Sequence, residues 1–171
     1  MEIHRYEKIW LAGALLLIVG FIATISYGAV GAGIEMVDDD GGQIEPNAIS
    51  DHPKFSEPGT YKTGENEYDV YVVAYQFAFD PGTSDPIRVP ANSEVTFHIT
   101  SRDVVHGFEI VGTNANTMAI PGQVATITVE FGEPTEYGLL CHEYCGSAHH
   151  AMEGSIQVVP QSQWNESMVV N

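Results

Sequence analysis

The stretch EYDVYVVAY, residues 67–75, decides the fold class because its apolar residues recur at every second position. In an extended chain Tyr68, Val70 and Val72 point to one side, and this alternation predicts a strand with one buried face. Residues 94–100 repeat the same period, again with apolar side chains on one side only. The two stretches therefore predict strands of a sheet that covers a hydrophobic core.

The later part of the chain continues this pattern. Further strands are predicted at residues 104–111, 124–131, 136–141 and 154–159. Turn signals that contain proline and glycine separate the strands, and no helical pattern is long enough for a crossover connection. Short strands at this spacing predict an all-β sandwich or barrel. His98 falls on the polar side of its predicted strand, and we expect it to be exposed.

The stretch CHEYCGSAHHAM, residues 141–152, contains the donor atoms of a metal site. Its two thiols, its imidazoles and its thioether are soft and borderline donors of the kind that select copper or zinc. The spacing C-x3-C-x3-H-x2-M places Cys141, Cys145 and Met152 in one loop between the last two predicted strands. His106, at the edge of an upstream apolar run, is the best candidate for a further donor.

Three other interpretations compete for the two cysteines. A disulfide is possible outside the cytoplasm, but it leaves the clustered histidine and Met152 unexplained. Structural zinc accepts two cysteines and two histidines, yet it has no need of a thioether. A mononuclear blue-copper site uses one cysteine with two histidines and an axial methionine. The second cysteine favours two bridging thiolates and two copper ions.

Composition and charge limit the classes of function. The 171 residues are sufficient for one core domain with appendages. Lys and Arg number 6 against 23 Asp and Glu, which gives a formal net charge of -17. Because the charges in residues 1–34 sum to zero, the whole excess lies on residues 35–171. Such a domain repels nucleic acid. The acid is spread along the domain, which favours adaptation to high salt over a docking surface for a basic partner.

The N-terminal region is predicted to be a membrane anchor. Residues 9–34 contain no charged side chain, and the part to Tyr27 is almost entirely apolar. That length is enough for one transmembrane helix. Arg5 and Lys8 precede the run and Asp38 to Asp40 follow it, so the positive-inside rule places the N-terminus in the cytoplasm and the large domain outside. A cleaved signal peptide is the alternative.

The chain accordingly divides into four regions. Residues 1–34 form the anchor, and residues 35–66 form an acidic linker, rich in proline and glycine, that wraps loosely. Residues 67–160 form the β domain with the metal site. Residues 161–171 are expected to be a short flap or a frayed tail.

The motif C-x-E-x-C-G-S-x-H-x-x-M in residues 141–152, with D-V-x-H-x-F at residues 103–108, resembles subunit II of haem-copper cytochrome oxidases. The similarity extends over residues 67–160, including AYQFAF at 74–79 and IPG at 120–122. The single anchor resembles the B-type branch of the family, and the acidic surface resembles that of haloarchaeal proteins. The resemblance implies a cupredoxin-like Greek-key domain and a binuclear copper centre, CuA.

The resemblance also implies a ligand set. Cys141 and Cys145 would bridge the two copper ions. The terminal ligands would be the side chains or carbonyl of four further residues, which are His106, Glu143 through its backbone oxygen, His149 and Met152. The family pattern pairs His106 with Met152 on one copper and His149 with the Glu143 carbonyl on the other. His149 is the ligand by register, and His150 lies one position away.

Three further roles follow from the resemblance. The Glu143 side chain resembles a residue that helps to hold a magnesium ion against subunit I. Asp103 matches a position used for docking of the electron donor, and Tyr75, Phe77 and Phe79 are candidates for an aromatic surface through which electrons enter.

The function implied by the resemblance is electron transfer within a membrane oxidase. A soluble c-type cytochrome or blue-copper protein would reduce CuA, and the electron would pass to haem in subunit I, where oxygen is reduced to water. The chain would be enzymatic only as a subunit of cytochrome c oxidase. The alternatives are a membrane-tethered copper carrier or blue-copper-type electron carrier, and the CuA subunit of a nitric oxide reductase.

Overall fold

The computed structural model describes residues 4–31, 37–38 and 41–170. The predicted boundary between anchor and linker, at residue 34, lies outside the described residues. Asp39 and Asp40 of the acidic run that was used to orient the anchor also lie outside them. The chain divides into two compact units, residues 1–35 and 36–171, and each is described separately.

The N-terminal unit contains one α-helix, α1, at Arg5–Gly31. Leucine, isoleucine and alanine dominate its centre, and these apolar residues surround the helix on all sides instead of forming one stripe. The segment Arg5–Gly28 has a mean hydropathy of 2.4 and is long enough to cross a membrane. It is the one such helix in the described part of the chain, and it confirms the predicted N-terminal apolar helix.

In its described residues, the second unit contains eleven strands in two sheets. In chain order the strands are β1 Val37–Asp38, β2 Gly59–Lys62, β3 Glu67–Tyr75, β4 Ala78–Asp80, β5 Ile87–Pro90, β6 Ser93–Ser101, β7 His106–Ile110, β8 Asn116–Ala119, β9 Ala125–Phe131, β10 Glu136–Leu140 and β11 Glu153–Val159. One sheet has the order β1-β9-β6-β3-β2, with β4 paired to β3, and the other has the order β5-β11-β10-β7-β8.

The two sheets form a sandwich whose inner faces carry the alternating apolar residues. In the first sheet β3 runs parallel to β6 with Val70 opposite Phe97. In the second sheet β11 runs antiparallel to β10 and parallel to β5. Phe79, Phe97 and Phe108 meet between the sheets, with ring centroids 5.6 Å apart for both pairs that include Phe108. Full burial of each such side chain contributes about 1.5–3 kcal/mol. The predicted all-β sandwich is confirmed.

A second, smaller core lies on the outer face of the first sheet. Residues 41–66, expected to wrap loosely, instead contribute a 3-10 helix at Pro46–Asp51 and the edge strand β2. The side chains of this small core are those of Ile44, Ile49, Phe55, Val73 and Val124. Val73 is apolar although it lies on the otherwise polar side of β3. It leaves a hydrophobic patch, and this explains why the segment packs against the sheet instead of wrapping loosely.

The covering of this outer face also changes the environment of His98. Its ring stacks on Tyr71 with centroids 4.5 Å apart and an interplanar angle of 9°. Only 20% of the His98 side chain is exposed, and its Nε2 atom lies 3.5 Å from Asp69. The expectation that His98 is exposed was therefore wrong, because sequence alternation shows which face a residue occupies but not what lies over that face.

The C-terminal residues are also attached to the domain. Trp164 packs edge-on against Tyr68 with ring centroids 5.5 Å apart. The backbone N–H of Val170 donates to the carbonyl of Thr60 at 2.9 Å. Residues 161–170 thus form a packed flap and not a frayed tail.

Candidate metal centre

The metal-binding motif and His106 meet at one end of the second sheet. Strand β10 pairs with both of its neighbours at its last residue, where Leu140 lies opposite Glu109 of β7 and Glu153 of β11. The first residue of β7 and the loop at residues 141–152 must therefore lie at the same end of the second sheet. The prediction that this loop joins the last two strands is confirmed.

The described donors converge on the two cysteine sulfurs. Cys141 Sγ and Cys145 Sγ lie 3.8 Å apart, far beyond the distance of about 2 Å of a disulfide bond. His106 Nδ1 lies 3.9 Å from Cys141 Sγ, and His149 Nδ1 lies 3.6 Å from Cys145 Sγ. The thioether of Met152 is 3.7 Å from Cys145 Sγ. These spacings leave the two thiols free and turned toward one another.

The backbone of the loop adds an oxygen to this group. The Glu143 carbonyl lies 3.1 Å from Cys141 Sγ. The loop is held by its own turn, in which the N–H of His149 donates to the carbonyl of Gly146 at 3.1 Å. The N–H of Cys141 donates to the carbonyl of Met152 at 3.2 Å and closes the loop. The backbone therefore fixes the ends of the loop independently of any metal.

The orientation of His106 is set by Asp103. His106 is fully buried, and its Nε2 atom lies 2.8 Å from Asp103 Oδ1. An ionised carboxylate accepts hydrogen bonds only, so Nε2 carries the proton and Nδ1 presents a lone pair toward Cys141. A carboxylate behind a histidine in this way fixes the tautomer of a metal ligand.

Asp103 is ionised at neutral pH. Burial acts to raise the pKa of its carboxyl, but hydrogen bonds from His106 and from the N–H groups of Gln76 and Val104 lower it more, so that its pKa lies below the ordinary value. Those two N–H groups lie 2.7 Å from its oxygens. Asp103 therefore stays negatively charged and accepts the hydrogen bond from His106.

The Cys145 thiol has the opposite shift. Burial, reinforced by the neighbouring Cys141 thiol, raises the pKa of Cys145 to about 11. Binding of a metal ion by the Cys145 thiolate would therefore release a proton. Both cysteines and Met152 are buried and continuous with the main core, so the donors lie in a largely water-free environment.

The histidines of the loop have different positions. His149 is partly buried and also contacts the Tyr144 ring, with centroids 5.8 Å apart. His150 is exposed. The ring of His142 covers Gly107, where a Cβ atom would lie 2.0 Å from its Nδ1. Of these three, it is His149 whose ring nitrogen lies next to a cysteine sulfur.

The donor set fits a soft metal ion. Among the histidine, cysteine, aspartate and glutamate side chains of the described residues, one group of three has its ligand atoms all within 4.8 Å of one another. Its members are His106, Cys141 and Cys145. Two thiolates, two imidazole nitrogens and a thioether are the ligand types that copper prefers. Two sulfurs that face each other can each contact two ions. A site for a single tetrahedral zinc ion would not require shared sulfurs.

The residues predicted for docking and electron input fall into three environments. Asp103 lies at the surface behind His106. Tyr75 packs under the Arg102 guanidinium, 4.6 Å from its ring centroid, and Phe77 is partly buried. Phe79 is 1% exposed and packs edge-on against Phe108. Including Phe79 in an entrance surface was wrong, because the period-two alternation of β4 turns its side chain into the core.

The Glu143 side chain points away from the donors, since it is exposed while its carbonyl faces Cys141. One residue of the site escaped sequence analysis. Gln76 contacts both Asp103 and the backbone of Cys145. It lies inside the AYQFAF stretch, but its chemistry is ordinary, and no spacing marks it.

Comparisons with known proteins give a consistent result. The family described as cytochrome c oxidase subunit II, periplasmic domain, matches residues 64–159. A cytochrome c oxidase subunit 2 from Thermus thermophilus is 40% identical over 166 residues, which are 91% of this chain and 93% of that protein. A solved haem-copper terminal oxidase dimer contains a chain with 38% identity and a TM-score of 0.69, over 91% of this chain and 100% of that chain.

A more distant structure shows the same fold. The periplasmic domain of cytochrome oxidase subunit II from Bradyrhizobium japonicum has a TM-score of 0.51 at 20% identity, over 56% of this chain and 86% of that chain. The resemblance at this level concerns the β sandwich alone.

Proposed function

The chain belongs to the cytochrome c oxidase subunit II family and is the subunit of a haem-copper oxidase through which electrons enter; from that premise we propose which residues hold the copper. The ligands are His106, Cys141, the Glu143 carbonyl, Cys145, His149 and Met152. The thiolates of Cys141 and Cys145 would hold two ions between them. The observation that carries this proposal is the 3.8 Å separation of two free, facing thiols.

The roles of the residues follow from their chemistry. A copper pair held by these residues would supply a site for the transfer of one electron at a time. Asp103 holds His106 by its Nε2–H and keeps Nδ1 directed at the sulfurs. Burial of Cys141, Cys145 and Met152 in the main core keeps water away from the sulfur donors. A site whose ligands do not move when the charge changes has a low reorganisation energy, and that favours rapid electron transfer.

The chain is a membrane-associated oxidase subunit that functions with subunit I. We assign the apolar helix α1 as its single membrane span, with the N-terminus in the cytoplasm and the copper domain on the outer face, because Arg5 and Lys8 lie at its start. A soluble c-type cytochrome or blue-copper protein supplies electrons at the Asp103 side, with Tyr75 and Phe77 nearby. The exposed Glu143 carboxylate would help to bind a magnesium ion where the chain contacts subunit I.

A copper carrier would need a different site. Transfer of copper to another protein requires donors that the acceptor can reach, whereas Cys141, Cys145 and Met152 are at most 7% exposed. The proposal therefore expects copper that stays bound through repeated reduction and oxidation. The test is to cycle the copper-loaded chain between both states in the presence of a copper chelator. Loss of copper to the chelator during cycling would favour the carrier instead.

A further inference from the structure

Gln76 lies in the turn between β3 and β4 and contacts both halves of the metal centre. Its side-chain amide donates to the carbonyl of Cys145, 69 residues away in sequence. Its backbone N–H donates to Asp103 Oδ2 at 2.7 Å, 27 residues away. One residue of the first sheet is thus bonded to both of the segments that supply the donors.

The contact with Asp103 extends to His106. Asp103 Oδ2 accepts from Gln76, while Oδ1 accepts from His106 Nε2 at 2.8 Å. A carboxylate held at both oxygens cannot rotate freely, so the plane of the His106 ring depends on where Gln76 lies. The direction of His106 Nδ1 toward Cys141 follows from this chain of hydrogen bonds.

The contact with Cys145 depends on a close approach of the backbone. Gly146 has a φ of +135°, and a Cβ atom there would lie 2.7 Å from Gln76 Nε2 and 3.1 Å from the Phe77 ring. Glycine therefore allows the loop to rest directly on the β3–β4 turn. Only the amide nitrogen of Gln76 can donate to a carbonyl, which determines how this side chain is oriented.

We propose that Gln76 is a positioning residue that fixes the distance between the His106 side and the Cys145 side of the copper centre. It acts through Asp103 and through the Cys145 carbonyl and is not itself a ligand. The inference rests on the ligand set proposed above. Its physical basis is that the two donor segments come from different parts of the second sheet. Hydrogen bonds to one residue between two strands of the first sheet keep these segments at a fixed distance from each other.

The test compares Gln76→Leu with Gln161→Leu in the full chain in detergent. Both substitutions remove a glutamine Nε2 bond to a backbone carbonyl. Gln161 donates to Ala91 at 2.8 Å, beside the end of β11 remote from Met152. The measurements are the electron paramagnetic resonance spectrum of the copper-loaded chain, the rate of copper removal by a chelator, and the melting temperature without copper.

We expect Gln76→Leu to change the copper hyperfine pattern and to lose copper to the chelator roughly tenfold faster than the unsubstituted chain. Gln161→Leu should keep both properties, although it loses a similar amount of stability. If Gln76→Leu keeps the spectrum and the copper and loses stability alone, Gln76 is only structural and the inference is wrong.

A second substitution covers the case in which Gln76→Leu does not fold. Gln76→Glu keeps the backbone bond to Asp103, as Gln76→Leu does, and it also keeps the shape of the side chain, but an ionised carboxylate cannot donate to the Cys145 carbonyl. It should also release copper faster, and an unchanged release rate would overturn the inference. If the unsubstituted chain itself fails to bind two copper ions, the proposed ligand set fails, whereas failure in the Gln76 variants alone leaves that set intact.

Discussion

The two cysteine residues face each other but have different neighbours. Cys141 faces His106 and the Glu143 carbonyl, while Cys145 faces His149 and Met152. Each sulfur therefore has one imidazole beside it and faces the other sulfur. This arrangement is what two ions that share two bridging thiolates require.

Replacement of either cysteine should abolish the binuclear centre. In Cys141→Ser or Cys145→Ser a hydroxyl replaces one bridging thiolate, and a neutral hydroxyl is a poor ligand for copper. The expected result is loss of the signal from an electron shared by two copper nuclei, measured by electron paramagnetic resonance. Retention of that signal in either variant would contradict the bridging assignment.

The two adjacent histidines provide a matched pair. His149 Nδ1 is 3.6 Å from Cys145 Sγ, whereas His150 is exposed. His149→Ala should therefore lower copper content or alter the spectrum, and His150→Ala should leave both nearly unchanged. The measurement is copper per chain after removal of loosely bound metal. Loss of copper in His150→Ala alone would show that the ligand register is displaced by one residue.

At the scale of the elements, sequence predicts the strands whose apolar residues alternate strictly. The strands predicted near residues 67–75, 94–100, 124–131, 136–141 and 154–159 agree with β3, β6, β9, β10 and β11 within two residues. The strand predicted at 104–111 begins later, because Val104 accepts a hydrogen bond from the Ser101 hydroxyl in a turn. A side-chain bond of this kind competes with the strand ladder.

The short strands could not be predicted, and neither could the two hydrogen bonds that Gln76 makes to the metal-binding segments. Strands β2, β4, β5 and β8 have three or four residues each, too few for a period to be recognised. The loop motif predicted which donors would meet, because their spacing is local. Contacts made by Gln76 join segments far apart in sequence, and such contacts depend on the packing of the two sheets.

The start of β11 contacts the turn after β4 very closely. A Cβ atom at Gly154 would lie 2.8 Å from the backbone of Gly82, and neither segment can move without disturbing its sheet. Gly154→Ala should therefore lower the free energy of unfolding by about 1–3 kcal/mol. Gly132→Ala is the control, since nothing lies within 4 Å of its Cβ position. Thermal unfolding followed by circular dichroism measures both, and equal melting temperatures would contradict this packing.

For the molecule as a whole, the dominant property is its charge. The net charge of -17 lies entirely on the residues after the anchor, and it must repel itself in the folded domain. We propose from this acidity, as the sequence predicts, that the protein is adapted to high salt. It also means that partners are recognised against a strongly negative background.

Salt should stabilise the fold. Near-molar NaCl shortens the Debye length to about 3 Å and screens the repulsion. The melting temperature should rise, by roughly 2–4 °C for each kcal/mol gained in a chain of this size. Sucrose screens no charge but stabilises folded proteins by exclusion from their surface, so a parallel sucrose series measures that separate effect. A melting temperature independent of NaCl would contradict the electrostatic explanation.

The central claim is that two copper ions share the donors around Cys141 and Cys145. The most direct measurement is copper content per chain, together with the electron paramagnetic resonance spectrum of the same sample, on the full chain in detergent. We predict two copper ions per chain and one unpaired electron, with hyperfine splitting from two equivalent nuclei. One copper ion per chain, with splitting from a single nucleus, would contradict the account.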